Sequence, residues 1–192
     1  MPTMTTNNVT VIVATNGDLP FVDHVQRKFS EQLAFIPRAG IEKAIAAGQI
    51  ALAFIDGEPV GYVWRGALGV RTIIVQAAIE FDAQRRHYGA ALVAHVIVEA
   101  TRAHSSAIVC RCGSDLEANS FWQSLGFVCV GSLLGGGRRG RVLNVWHYAI
   151  ARDLFGHVPV EPFAGKITPT LNTGLSPFAR PRRKIIINPE RN

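Results

Sequence analysis

Cysteine is scarce in this chain, with three among 192 residues, too few to staple a domain of that size with disulfides. Cys110-Arg-Cys112 leaves one residue between two thiols, with no matching pair elsewhere, so no zinc quartet assembles. All three are expected to be small, buried apolar groups. The histidines lack ligand spacing, and no metal site is expected. No apolar run reaches the roughly 18 residues a spanning helix needs. Met1 to Thr10 has neither the basic flank nor the apolar stretch of a signal peptide. No internal repeat is visible. These absences point to a soluble, cytoplasmic protein without a membrane partner.

Acidic residues are also few, 14 against 20 basic ones, sixteen of them Arg, leaving a formal charge of +6. A surface of that sign favours polyanions such as nucleic acid or a phosphorylated cofactor. At 48% hydrophobic, the chain has the apolar content for a folded core. The composition shifts near Asp153, after which six of the ten prolines fall. The expected organisation is one domain over residues 1–152 and a Pro-rich basic extension over 153–192.

Hydrophobic periodicity gives the element order βααβββαβαβ with a final β. Val9–Ala14 reads as a strand. Phe21, Val25, Phe29, Leu33 and Phe35 recur near helical spacing up to Pro37, and Ile41–Ala47 forms a second helix stopped at Gly48. Ile50–Ile55 and Val60–Trp64 flank the turn Asp56-Gly57-Glu58-Pro59. Arg71–Phe81 makes a central strand and leads into a long helix carrying Leu92, Val93, Val96, Ile97 and Ala100. Strand 107–112, helix 117–125 and strands 127–133 and 141–150 follow, and Ile185–Ile187 could add one more. Such alternation implies an α/β (α+β layered) fold.

The informative segment runs from Phe81 to Leu92, strand to turn to helix. The first N–H groups of a helix have no intrahelical partner, and together with the helix dipole they make an anion site. Gly89 permits close approach, Ala90 and Ala91 keep the first turn uncluttered, and Arg85 and Arg86 add charge-assisted donors.

Arg86-His-Tyr-Gly89-Ala-Ala91 resembles the Gln/Arg-x-x-Gly-x-Gly/Ala motif of the GCN5-related N-acetyltransferase (GNAT) superfamily. A second family signature is matched by Asp115, Ala118, Phe121-Trp122 and Gly126-Phe127. The hairpin around Asp56-Gly-Glu-Pro-Val-Gly61-Tyr62 resembles the family's second and third strands. The resemblance covers about residues 9–150. It implies a mixed, mostly antiparallel sheet of six to seven strands with helices on both faces, and acetyl-CoA as co-substrate of an N-acetyltransferase. It places the backbone of Ile79, Glu80 and Phe81 against the pantetheine, in a gap where the central strand splays from the next. Diphosphate-binding N–H groups are implied from His87 and Tyr88 through Gly89, Ala90 and Ala91 to Leu92. Asn119 and Trp122 are counted with the cofactor contacts. Transfer would be direct, an amine attacking the thioester without a covalent intermediate.

This chain departs from the family at Trp122, where many members carry a Tyr that protonates the leaving thiolate. An indole N–H donates hydrogen bonds but is no useful acid. Tyr148, Ser120, Ser124 and water remain as proton sources. For the general base, Glu80 and Asp115 are the candidates, each with an ordinary structural alternative as an ion pair or a turn residue. His147 could line the acceptor cleft. Gly135-Gly-Gly-Arg138-Arg139-Gly-Arg141, with Trp146 nearby, could track a phosphate backbone and stack a base. The partners named by this reading are acetyl-CoA and an amine, with nucleic acid or another polyanion and a second copy of the chain as further candidates. The alternative function is a GNAT-fold protein that binds or modifies nucleic acid through the Arg-rich loop and tail.

Overall fold

A computed structural model describes residues 9–135 and 140–150 and the backbone of Ile185–Ile186. The expected domain boundary near residue 152 lies outside the described residues, as do residues 136–139. The elements are β1 (Thr10–Val13), α1 (Leu19–Lys28), α2 (Arg38–Ala46), β2 (Ile50–Ile55), β3 (Glu58–Leu68), β4 (Arg71–Ile79) and α3 (Tyr88–Arg102). They continue with β5 (Ala107–Gly113), α4 (Ala118–Ser124), β6 (Val128–Leu134), β7 (Val142–Ala149) and β8 (Ile185–Ile186). The strands hydrogen-bond in the order β1-β2-β3-β4-β5-β7-β6-β8. The β4–β5 ladder is parallel, and the ladders β1–β2, β2–β3, β5–β7, β6–β7 and β6–β8 are antiparallel. This is the mixed, mostly antiparallel sheet with helices that the sequence led to, with the short β8 as an eighth strand.

The chain falls into two compact units, one running to Arg65 and including Val75–Glu99, the other comprising Gly66–Ile74 and Ala100 onward. In the first, α1 and α2 bury Val22, Val25, Ile41, Ala44 and Ile45 against Ile50, Leu52, Tyr62 and Trp64. The intervening residues Ala51, Ala53 and Val63 are buried too, so this strand pair is covered on both faces and reads as a continuous apolar run. The β2–β3 turn is two residues, Asp56 and Gly57, both at positive φ (50° and 86°), the mirror-image turn whose twist matches paired strands. Gly61 lets β3 lie close on β4, since a Cβ there would stand 2.5 Å from the Ala78 carbonyl oxygen.

Helix ends follow one rule in three places. Gly48, His104 and Gly126 adopt positive φ, and the N–H of the next residue reaches back to Ala44, Ala100 and Trp122 respectively. Each closes a Schellman motif that satisfies otherwise orphaned carbonyls. The helix expected to carry Phe21 through Phe35 up to Pro37 is a correction, because α1 stops at Lys28. The Gln26 side chain supplies the reason. Its Oε1 accepts from Ile36 N (2.8 Å) and its Nε2 donates to Ile36 O (2.9 Å), an amide-to-backbone pairing possible only if the chain turns back on the helix.

That pairing belongs to a buried polar network. Gln76 of β4 donates through Nε2 to Gln26 Oε1 (3.1 Å) and to Ala34 O (2.5 Å), and its Oε1 accepts from Tyr62 Oη (2.8 Å). Tyr62 and Gln26 are fully enclosed, and burial raises the Tyr62 pKa, so its hydroxyl stays a donor. The network pins the α1–α2 connection across strand β4.

In the second unit, β5 and β7 pair over their full length, from Ala107↔Ala149 to Gly113↔Leu143. Val109, Leu133 and Val145 form its cluster with Val130 and Leu143. The β4–β5 ladder pairs Thr72, Ile73 and Ile74 with Ile108, Val109 and Cys110. Gln26→Leu should destabilise the protein by about 2–4 kcal/mol, because it leaves the buried Ile36 N–H and C=O unpaired. Urea unfolding measures it; a loss within error of zero would show that the network is dispensable.

Candidate functional site

Strand β4 ends at Ile79, and the chain then makes a tight passage to α3. Glu80 N donates to Val60 O (2.9 Å), holding the exit of β4 against β3. Gln84 Nε2 donates to the Ile79 carbonyl (3.1 Å), so the turn folds back on the strand it left. Arg85 and His87 then adopt left-handed backbone conformations, with φ of 60° and 65°. Neither is glycine, and the left-handed region costs an L-residue about 1–2 kcal/mol. Alternating backbone hand of this kind turns successive N–H groups to one side and makes an anion-binding concavity. The first helical bond runs from Ala91 N to His87 O (3.1 Å), so the Gly89 and Ala90 N–H groups precede the helical ladder. Arg85, Arg86 and His87 are exposed, whereas Tyr88 and Leu92 are buried.

Two expectations need correction here. The Ala91 N–H is committed to His87 O, and Leu92, one residue further along, lies inside the helical ladder with its side chain buried. Neither is a free donor for an anion. The candidate donors contract to the turn itself and to Gly89 and Ala90.

Glu80 and Phe81 have partners that the sequence did not reveal. The Glu80 carboxylate forms an ion pair with Lys28 at the end of α1. The Lys28 ammonium also sits 5.3 Å from the Phe81 ring centroid, and Phe81 packs on Phe29 at 4.5 Å. Helix α1 thereby braces the exit of β4. Nothing local in the sequence joins residues 28 and 80; their pairing is a product of the fold.

In the second unit, Asn119 is saturated. Its Nδ2 donates to Gly113 O (2.8 Å) and Leu116 O (2.7 Å), and its Oδ1 accepts from Asn144 Nδ2 (3.1 Å) and Trp146 Nε1 (3.0 Å). An amide has two donors and one acceptor oxygen, so this side chain locks α4 to β5 and β7 and has nothing left for a cofactor. Trp122 is buried between Phe121 and Phe127. Asp115 is paired with Arg141 (3.1 Å). Tyr148 packs its ring on Phe127 at 5.2 Å. Ser124 Oγ donates to Phe121 O (2.8 Å).

The expected nucleic-acid contacts also change. Trp146 is buried with its N–H on Asn119, which removes it as a stacking platform, and Arg141 is held by Asp115. Arg138 and Arg139 lie outside the described residues. The turn residues 79–90 thus come together in one unit, while Asp115, Asn119, Trp122, Arg141, Trp146 and Tyr148 belong to the other.

Of the three cysteines, Cys110 and Cys112 are buried but Cys129 is exposed, against expectation, because it lies with Val128 at the exposed start of β6. Burial first, and the Asp115 carboxylate second, push the Cys112 thiol up to about 11 against the opposing effects of Trp122 and Arg141. Burial, with Cys112 alongside, also raises Cys110. Among the described residues no helix is long and apolar enough to cross a membrane. Nor does any group of three or more His, Cys, Asp or Glu side chains there suit a metal ion.

Residues 21–134 match the family model described as an acetyltransferase (GNAT) domain. The match spans more than half of the chain, which therefore belongs to the GNAT acetyltransferase family. Ard1 from Thermoplasma volcanium superposes with a TM-score of 0.68 at 15% identity, over 75% of this chain and 99% of that one. The ribosomal-protein-S18-alanine N-acetyltransferase from Escherichia coli gives 0.60 at 19% identity, over 75% and 95%. YncA of Salmonella typhimurium, a putative acetyltransferase solved with acetyl-CoA, gives 0.64 at 18%, over 76% and 95%. At these identities the structures show a common fold. No curated protein matches the sequence.

Two predictions follow from the site's geometry. His87→Gly removes a left-handed side chain and should raise stability by about 0.5–1 kcal/mol, the relief exceeding the extra freedom of the unfolded chain. An unchanged or lower unfolding midpoint would contradict the strain. The two buried thiols ionise more readily in the unfolded chain than in the native one. Their contribution is therefore complete below pH about 9 and falls as pH rises towards about 11. Denaturation midpoints across that window should decline, and Cys112→Ala should flatten the decline; an identical slope in the variant would be the contrary result.

Proposed function

We propose that this protein transfers the acetyl group of acetyl-CoA to an amine by direct attack. The observation that carries the reading is the turn before α3. Its strained residues Arg85 and His87, followed by the Gly89 and Ala90 N–H groups, form a cradle of backbone donors at a helix N-terminus, which suits a diphosphate. Membership of an acetyltransferase family supports acetyl-CoA as the molecule that brings it. YncA's acetyl-CoA complex and the S18-alanine N-acetyltransferase, both of the same fold, support the cofactor and an amine acceptor.

In the proposed reaction, a neutral amine adds to the thioester carbonyl, giving a tetrahedral intermediate whose oxyanion needs a preorganised N–H donor. Its collapse breaks the C–S bond and releases the CoA thiolate and the acetylated amine. The amine loses one proton to a base, and the thiolate gains one. Glu80 is the base this reading favours, because it stands at the exit of β4 with Lys28 fixing its carboxylate. Asp115, paired with Arg141, belongs to the other unit and stands as the alternative. Trp122 carries an indole, which is no useful acid, so the thiolate's proton is assigned to water.

Isothermal calorimetry with acetyl-CoA tests the proposal. Saturable binding is expected in the wild type. Gly89→Asp, which sets a carboxylate against the diphosphate, should weaken it by about 100-fold or more. Absence of heat at ligand concentrations on the order of 1 mM would exclude the acetyltransferase reading.

A further inference from the structure

The connection between α1 and α2 carries a cationic cluster that the acetyl-transfer chemistry does not use. Arg27 and Arg38 both face the single carboxylate of Asp23. Arg27 Nε stands 3.1 Å from Asp23 Oδ2, while Arg38 Nη1 is 4.0 Å away, beyond hydrogen-bond reach. Two guanidinium groups thus flank one carboxylate. The pairing engages Arg27 through Nε, and its side chain is 60% exposed; that of Arg38 is 56% exposed. Asp23 itself is buried, and its Oδ1 has no hydrogen-bond partner. The carboxylate therefore lies at the base of the cluster, with the arginines exposed around it. Beside them Phe35 is 53% exposed, its ring centroid 5.6 Å from Arg27 Cζ. The ring restrains the guanidinium by a cation–π contact and offers an apolar shelf to whatever approaches.

This cluster is rigidly tied to the strand and turn of the candidate site. Gln76 of β4 holds Ala34 O, and Gln26 holds both backbone groups of Ile36, so Phe35 lies between two pinned residues. Lys28 and Phe29, immediately after Arg27, contact Glu80 and Phe81. Arg27 thus stands next in sequence to the two side chains that brace the exit of β4. Guanidinium groups recognise planar carboxylates through paired N–H donors, and prior fixation of the donors lowers the entropy lost on binding.

We propose that Arg27 and Arg38, with Phe35, select an amine acceptor that carries a carboxylate close to its reactive amine. The proposal rests on the acetyl-transfer reading and names its substrate class. The arginines are specificity-determining residues rather than catalytic ones.

The test compares matched acceptor peptides whose second residue is Glu or Gln, and Asp or Asn, with acetyl-CoA saturating. The acidic member of each pair should show a KM about 10-fold or more lower at similar kcat. In Arg38→Ala, and in Arg27→Gln, which keeps a donor for Asp23, the preference should shrink towards unity. Acetyl-CoA binding should stay unchanged, and Arg27→Lys should recover part of the preference. Equal KM values within the pairs, a preference that survives both substitutions, or failure to acetylate any acidic peptide would overturn the proposal. Loss of acetyl-CoA binding by the wild type would instead strike the acetyl-transfer reading, so the two failures are distinguishable.

Discussion

Arg85 and His87 are held in a backbone conformation that L-residues avoid, at the point where a strand gives way to a fifteen-residue helix. A strained turn persists only when its surroundings over-determine it. Here the surroundings are identifiable: Glu80 N is tied to Val60, Gln84 reaches back to Ile79, and Tyr88 is buried as α3 begins. Anchored at both ends, the turn has little alternative but to present its amides together. An anion there would meet backbone groups already aligned, with no reorganisation left to oppose binding.

Around that turn, the first unit uses polar groups in its interior rather than apolar packing alone. Tyr62, Gln76 and Gln26 form a chain of amide and hydroxyl contacts from β3 through β4 to the α1–α2 connection. A buried polar network specifies one arrangement when its members are satisfied. It explains why α1 ends where it does and why Phe35 and Arg27 are fixed near the exit of β4. In the second unit Asn119 has the corresponding role, with four hydrogen bonds that join α4, β5 and β7. Trp122 there is buried against the rings of Phe121 and Phe127.

What the sequence made legible was local. Gly48 and Gly126 stop helices through the backbone conformation that glycine favours, and Asp56-Gly57 makes a two-residue hairpin for the same reason. The strand–turn–helix at residues 81–92 could be read because spacing and small residues are properties of neighbouring positions. Illegible features depend on distant partners. The stop at Lys28 is decided by Gln26 bonding to a residue ten positions away. The ion pair of Glu80 with Lys28 spans 52 positions. Trp146 is aromatic on a strand in either reading, and only the fold decides that it is buried with its N–H on Asn119 rather than open to a base. Cys129 resembles the other cysteines in sequence, yet it lies at the exposed start of β6.

Backbone amide NMR of isotopically labelled protein titrated with coenzyme A tests the central claim most directly. The His87, Gly89 and Ala90 amide resonances should move together, saturably and downfield, as their protons engage the diphosphate. Coenzyme A lacking its diphosphate, pantetheine alone, should leave them in place. Binding that moves only side-chain resonances, or that leaves these three amides unshifted at saturation, would contradict the account.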